Sequence, residues 1–151
     1  MKMMASMFDD NVRAAFESRI RLLRPDSQRR WGRMNAKQMV CHISDHLRIS
    51  LGDIPAKPVA SPLRYPIVKH LVIDVLPWPK GRIQGPPEAF ITSPTDWQRD
   101  ITALLDLLQR FGKEKSRLHW PLHPLFGAMT GPLWSRLTCR HFNHHLTQFG
   151  A

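Results

Sequence analysis

Residues 141–148 of the 151-residue chain read HFNHHLTQ, a stretch that indicates both a helix and its chemistry. It closes a segment from Thr130 to Gly150 in which apolar residues recur at the helical period. His141 and His145 are four residues apart, so both side chains lie on one helix face. Two imidazoles one turn apart can bind the same metal ion. Because two ligands do not make a site, the chain must supply a third elsewhere.

Three more helices are predicted from the same periodicity, at roughly 10–23, 35–51 and 95–111. Asn35 and Gln38 have the spacing of a capping box, and Gly52 is a natural stop for that second helix. A long connection, 53–94, holds nine of the thirteen prolines. Within it, 67–76 favours a short helix over a buried strand. A connection this long either covers a site or simply crosses between helices, and both alternatives stay open.

Four amphipathic helices, with the Pro-rich connection between helices two and three, predict an all-α four-helix bundle. The length suits a single domain over residues 1–151. No apolar run approaches the roughly 20 residues of a membrane span, and the beginning is too polar for a secretory signal. We therefore expect a cytoplasmic protein that stays outside the membrane. Cys41 and Cys139 are too few for a disulfide scaffold and are expected to be reduced packing residues.

The second helix supplies the candidate third ligand. His42 and His46 lie on its inward stripe, which normally holds apolar side chains. If the second and fourth helices face each other, His42 converges with His141 and His145, and three protein ligands leave the open position of a catalytic metal. Neutral imidazole suits zinc, nickel, iron or copper, so the ligand type does not identify the metal. The alternative for each histidine is a hydrogen-bonded polar side chain at a helix end.

Three further residues are candidates around this centre. His46 is a fourth ligand, a hydrogen-bond partner of a ligand or a proton shuttle. Asp45 and Gln148 are candidates to orient the ring nitrogens of the ligands, provided that the geometry allows it. His144 falls to the side of the inward stripe and is not expected in the site.

These segments resemble the DinB/YfiT-like family. Residues 30–45, RWGRMNAKQMVCHISD, are similar to the start of its second helix, where a Trp and a small or polar cap precede one metal-binding His. HFNHHLTQ is similar to its closing His-x-x-x-His-x-x-Gln helix, and HPLFG at 123–127 leading to Trp134 is similar to an uncharacterised subgroup. The resemblance covers nearly the whole chain, and the Pro-rich middle matches least.

The resemblance implies a four-helix bundle with a divalent metal ion (zinc, nickel, iron or manganese) bound by His42, His141 and His145. Some relatives are thiol-dependent transferases or isomerases that use bacillithiol or mycothiol, which implies a low-molecular-weight thiol as a cofactor. The resemblance also places His123 at the edge of the site, and the alternative for this residue is a hydrogen bond within its loop. Relatives often carry Arg after the second closing His, where this chain has Leu146, which puts an inherited substrate contact there in doubt.

The net charge of +10, with basic residues clustered between Arg19 and Lys37, indicates nucleic acid as a partner, a surface that attracts small anionic substrates, or simply a solvated basic face. Aromatic residues are not interleaved with this cluster as in a stacking platform, and no helix-turn-helix, zinc-finger or RNA-binding signature is present. Nucleic acid is therefore not the expected partner. We expect a small-molecule substrate, which the basic surface attracts if it is anionic.

The leading hypothesis is a metal-dependent transferase or hydrolase with His46 as the residue for proton transfer. A non-catalytic metal-binding or stress-response module is the second hypothesis, and a basic nucleic-acid-binding helical domain is the third. The oligomeric state stays open, and a homodimer is one alternative because bundles often pair through exposed helix faces.

Overall fold

The computed structural model describes residues 4–82 and 85–151, and in these ranges it is all-helical, without β-strands. Its five α-helices are α1 (Asp10–Leu22), α2 (Ala36–Leu51), the short α3 (Pro66–His70), α4 (Trp97–Gly112) and α5 (Gly131–Gln148). The four long helices match the four predicted from the sequence, each to within about two residues, which is the usual uncertainty of helix ends. The predicted all-α fold class is confirmed.

The ends of α2 are defined by the side chains that the sequence singled out. The Asn35 side chain accepts a hydrogen bond from the Gln38 backbone N–H, and the Gln38 side chain accepts one from the Asn35 N–H, both at 2.9 Å. This is the predicted capping box, which satisfies two backbone donors at the start of the helix. Gly52, with a φ of 88°, ends the helix in the left-handed region that favours glycine.

Helix α2 lies between α4 and α5, and α1 packs against the same two helices. As a result 13 of the 16 residues of α2 are buried, so this helix has almost no solvent face. Its apolar residues Met39, Ile43 and Leu47 are fully buried. The same burial removes His42, Asp45 and His46 from water, and buried polar groups are stable only when they find hydrogen-bond partners.

The Pro-rich connection contains three short turns of helix besides α3. Two are 3₁₀-helices, at Pro62–Arg64 and Pro87–Phe90, and one is a π-helical turn, Leu71–Val75, that continues α3 directly. The short helix predicted at 67–76 is thus confirmed. The π-helical turn packs on α5, and Pro87–Phe90 packs on α2. The connection therefore passes over the two helices that carry the candidate ligands.

Both cysteines are unpaired and buried. Burial raises the pKa of the Cys41 thiol to about 11 and that of the Cys139 thiol to about 12. Neither thiol is ionised near neutral pH, so both are packing residues, as the sequence predicted. Within the described ranges, every helix is too short or too polar to cross a membrane.

Replacing Asn35 by Ala removes the cap of α2, and we expect the free energy of unfolding to fall by about 1 kcal/mol. Urea unfolding followed by circular dichroism measures the change. Asn35→Ser is the matched control, because a serine hydroxyl caps a helix in the same way. An equal loss in both variants would show that the side chain of Asn35 acts through something other than the cap.

Candidate metal centre

Three histidines from two helices converge in the interior. The Nε2 atom of His141 lies 3.0 Å from the Nε2 atom of His42 and 3.1 Å from that of His145. The ligand atoms of all three lie within 4.8 Å of one another. His141 and His145 are one turn apart on α5, and His42 comes from α2, which packs against it. The structure thus brings together the three residues that the sequence singled out as ligands.

The other ring nitrogens determine where the protons sit on two of these rings. His42 Nδ1 lies 2.8 Å from the Ala89 carbonyl oxygen, to which it can only donate. His145 Nδ1 donates to the side-chain oxygen of Gln148, also at 2.8 Å. Both Nε2 atoms therefore carry lone pairs, and a neutral His141 can donate a proton to only one of them. Nitrogen lone pairs facing one another with too few protons are an arrangement that suits a shared cation.

The spacing fits a metal ion. Zinc–imidazole bonds of about 2.0–2.1 Å put two ligand nitrogens of one ion roughly 3.0–3.4 Å apart. The two separations that involve His141, 3.0 and 3.1 Å, fall in that range, and the third pair of ligand atoms lies within 4.8 Å. Three protein nitrogens also leave at least one position open for another ligand. These three residues can hold a divalent metal ion, and neutral imidazoles leave its identity open.

Burial keeps the three imidazoles neutral. It lowers the pKa of His42 and His141, and it lowers the pKa of His145 to about 3, with the neighbouring imidazoles acting in the same direction. The charged form is disfavoured because the interior solvates it poorly and no carboxylate bonds these rings. A neutral imidazole is the form that binds metals, so the rings are ready as ligands near neutral pH.

Gln148 links the metal centre to the segment before α2. Its side-chain oxygen holds His145, and its amide nitrogen donates to the Trp31 carbonyl oxygen at 2.7 Å. Gly32 makes this possible: its φ is 80°, and a Cβ there would lie 2.6 Å from the Gln148 amide nitrogen. The expectation that Gln148 orients a ring nitrogen agrees with this geometry. A larger residue at 32 would be strained and would push the amide away.

Asp45 does not orient a histidine ring, which corrects the expectation from the sequence. Its fully buried carboxylate accepts hydrogen bonds from the Thr92 N–H at 2.9 Å, the Thr92 hydroxyl at 2.5 Å and Arg48 at 2.9 Å. The hydrogen-bond donors to this carboxylate are Thr92 and Arg48, and not an imidazole. Asp45 therefore acts indirectly: through Thr92 it holds the 3₁₀ turn Pro87–Phe90, which contacts His42.

That turn contributes two groups that the sequence analysis missed. The Ala89 carbonyl accepts from His42, and the Phe90 ring stacks on the His42 ring at 4.4 Å between centroids and 14° between planes. Phe90 is 46% exposed, so it covers one side of the site at the surface. The connection does cover the site, which was one of the two alternatives. A main-chain carbonyl in an aperiodic stretch leaves no signal in a sequence.

His46 lies beside the three-histidine cluster and is not one of its members. Its Nε2 is 3.0 Å from the Thr138 hydroxyl, and its ring packs 4.5 Å from that of His141 between centroids. Burial lowers the pKa of His46 well below its usual value, so the ring is neutral. It supports His141 from the interior, and its role in proton transfer stays a prediction.

His123 accepts backbone hydrogen bonds within its own loop. Its Nδ1 receives the N–H groups of Leu125 and Phe126 at 3.0 and 3.1 Å, and burial lowers its pKa to about 3. This geometry corresponds to the loop hydrogen bond that was the alternative to a place at the site edge. His144 lies outside the cluster, as predicted, and its ring contacts those of Trp31 and Trp78.

The comparison with protein families gives one result. Residues 3–151 match the family described as "Protein of unknown function (DUF1569)". The chain belongs to DUF1569. No curated protein and no solved structure matches the chain. The match to DUF1569 thus covers nearly the whole sequence and assigns no activity.

Replacing Gln148 by Leu leaves the Nδ1 proton of His145 without an acceptor, and we expect metal affinity to fall about 10- to 100-fold. Competition with a chelator of known affinity measures the change. Gln148→Glu is the control: it keeps an acceptor for His145, and it exchanges the donor to Trp31 for a carboxylate oxygen. The role of Gln148 would be refuted if Gln148→Leu bound metal as tightly as the wild type.

Replacing Asp45 by Asn exchanges one carboxylate oxygen for an NH2 group that cannot accept from the three donors around it. We expect the free energy of unfolding to fall by about 3 kcal/mol. Asp53→Asn is the control, since the Asp53–Arg110 pair is half exposed and its loss costs at most about 1 kcal/mol. Urea unfolding of both variants measures the difference. Equal losses would contradict the role of Asp45 in holding the turn.

Proposed function

We propose that this member of DUF1569 is a divalent-metal-dependent enzyme whose ion is bound by His42, His141 and His145. One observation carries the proposal: the Nε2 atoms of His42 and His145 lie 3.0 and 3.1 Å from the Nε2 atom of His141, while the Nδ1 atoms of the same two rings are bonded to acceptors. Hydrogen bonds of this kind at the outer nitrogen are typical of metal-binding histidines. We further propose that the fold is a four-helix bundle of the DinB/YfiT-like kind.

The helix contacts support the bundle. α1 packs on α4 and α5, and α2 packs on the same two helices, so the four long helices form a closed ring of contacts. Helical bundles place metal ligands on facing helices, directed into the interior. The histidines of α2 and α5 follow that pattern.

We propose a thiol-dependent transferase, or a related hydrolase, as the reaction class. A divalent ion with an open position supplies Lewis acidity, which lowers the pKa of a thiol or water that binds to it. The chain itself offers no competing thiolate, since burial keeps Cys41 and Cys139 protonated. The nucleophile must then come from a small molecule. Phe90 shields His42 from solvent on one side, and Gln148 holds His145 in its orientation.

A non-catalytic metal-binding or stress-response module is the second candidate function. The observation that favours it is that His46, the candidate for proton transfer, has its Nε2 atom committed to the Thr138 hydroxyl. Incubation of the metal-loaded protein with small thiols and electrophilic acceptors separates the two candidates. Metal-dependent turnover excludes a purely binding role, and its absence across thiols, acceptors and metals favours the module.

Metal analysis of the untagged protein tests the proposal directly. We expect one divalent ion per chain, and less than about a tenth of that occupancy in His42→Ala and His145→Ala, because two remaining ligands bind weakly. His119→Ala, at an exposed histidine outside the cluster, is the matched control and should keep its metal. Full occupancy in both site variants would refute the assignment.

A further inference from the structure

Two segments that border the metal centre carry only positive charges. Residues 28–36 include Arg29, Arg30 and Arg33, residues 77–82 include Lys80 and Arg82, and neither segment has an acidic residue. We call these five cations the basic rim. All five side chains are exposed. Like charges repel one another, so five neighbouring cations destabilise the fold unless an anion compensates them.

The two segments touch each other. The Lys80 ammonium lies 4.7 Å from the centroid of the Trp31 ring, which is a cation–π contact. A Cβ on Gly81 would lie only 3.7 Å from the Gly32 nitrogen, so the two backbones approach closely. The five cations therefore belong to one surface region.

The rim is next to the metal centre. The Trp31 carbonyl oxygen accepts a hydrogen bond from the Gln148 side chain, which in turn accepts one from His145. A single side chain therefore links the backbone of the first rim segment to a candidate metal ligand. Arg33 also lines, together with His42, Phe90 and Gln38, a cavity of about 350 Å³. A cavity of this size accommodates a small molecule.

The carboxylates nearest in sequence are already engaged elsewhere. Asp26 pairs with Arg24 at 3.1 Å, and Asp74 pairs with Arg136 at 2.8 Å. Glu88 accepts from the Lys57 N–H at 3.3 Å, and Asp45 is held by Thr92 and Arg48. Within the described ranges, no ion pair involves a rim cation. The rim thus presents uncompensated positive charge beside the cavity.

We propose that the basic rim and the adjoining cavity bind a small polyanion, carrying two or more phosphate or carboxylate groups, as the substrate or cofactor of the three-histidine centre. The link to that centre rests on the proposed function, whereas binding by the rim does not. Guanidinium groups match the geometry of both oxyanions. A ligand with several anionic groups can contact several rim cations at once, which a monoanion cannot do.

A small ligand fits this region better than nucleic acid. The indoles that would stack bases are occupied: Lys80 lies over Trp31, and Arg140 lies over Trp78 at 5.2 Å. Proteins that bind single strands need free aromatic faces along an open groove. The cavity beside His42 is instead a confined space of small-molecule size.

Isothermal titration calorimetry at low salt tests the proposal, with pyrophosphate, citrate and acetate as probes. The full chain is used both metal-loaded and after removal of metal by a chelator. We expect pyrophosphate or citrate to bind at least about tenfold more tightly than acetate, and the tighter of the two identifies the anionic group. Binding should weaken as salt rises, because the contacts are exposed.

The double variant Arg33→Gln/Lys80→Gln should weaken polyanion binding about tenfold, while its metal content stays at the wild-type level. The matched control is Lys113→Gln/Lys115→Gln, at the end of α4. It removes the same charge at the other end of the bundle, where α2 ends, and should bind as the wild type does. Binding that falls equally in both double variants would overturn the proposal, because only overall charge would then matter.

The failure of this inference and the failure of the proposed function give different results. If the protein holds no metal but the rim variant alone loses polyanion binding, the rim stands and the metalloenzyme does not. If polyanions bind only to metal-loaded protein and equally in the rim variant, they bind the ion and the rim proposal is wrong. A single-stranded oligonucleotide that binds and is not displaced by pyrophosphate would also overturn it.

Discussion

Three neutral imidazoles in the interior, with their Nε2 lone pairs turned toward one another, are the constraint on which the rest of the structure depends. A buried polar atom destabilises the fold unless it has a partner. The outer nitrogens of His42 and His145 find theirs in the Ala89 carbonyl and the Gln148 amide. These acceptors are themselves held, Gln148 by Trp31 and the turn after Ala89 by Asp45. Support for the centre thus extends into the two segments that flank α2.

The hydrogen bond between Gln148 and Trp31 also positions positive charge near the site. Gln148 bonds the backbone at Trp31, and the residues on either side of Trp31 include three arginines. The contact that orients His145 therefore also places cations beside the cavity next to His42. Gly32 is the junction, since only a residue without a side chain lets the Gln148 amide approach its backbone. Ligand orientation and the electrostatic field depend on one hydrogen-bonded connection.

The sequence predicts the parts of this site that helical periodicity governs. His42, His141 and His145 lie on inward stripes, and a spacing of four residues places two of them on one face, so their convergence follows from the helices. The Ala89 carbonyl and the Phe90 ring could not be predicted, because the connection has no period and a main-chain acceptor has no residue identity. Asp45 shows a further limit. A helical wheel gives the direction of a buried carboxylate, but it does not give the donor that the carboxylate meets, which here is Thr92.

The long helices differ in how much of the site they carry. α2 provides His42, His46 and Asp45 while it fills the centre of the fold, so nearly every position on it affects folding and site geometry together. α4 buries the apolar residues Ile101, Leu104, Leu108 and Phe111, and none of the site contacts described above involves it. A protein engineer could therefore vary the outer face of α4 to adjust thermal tolerance without disturbing the candidate site. Random changes on α2 would alter stability and site geometry together, so libraries directed at the candidate site would do better on the loops around Phe90 and Lys80.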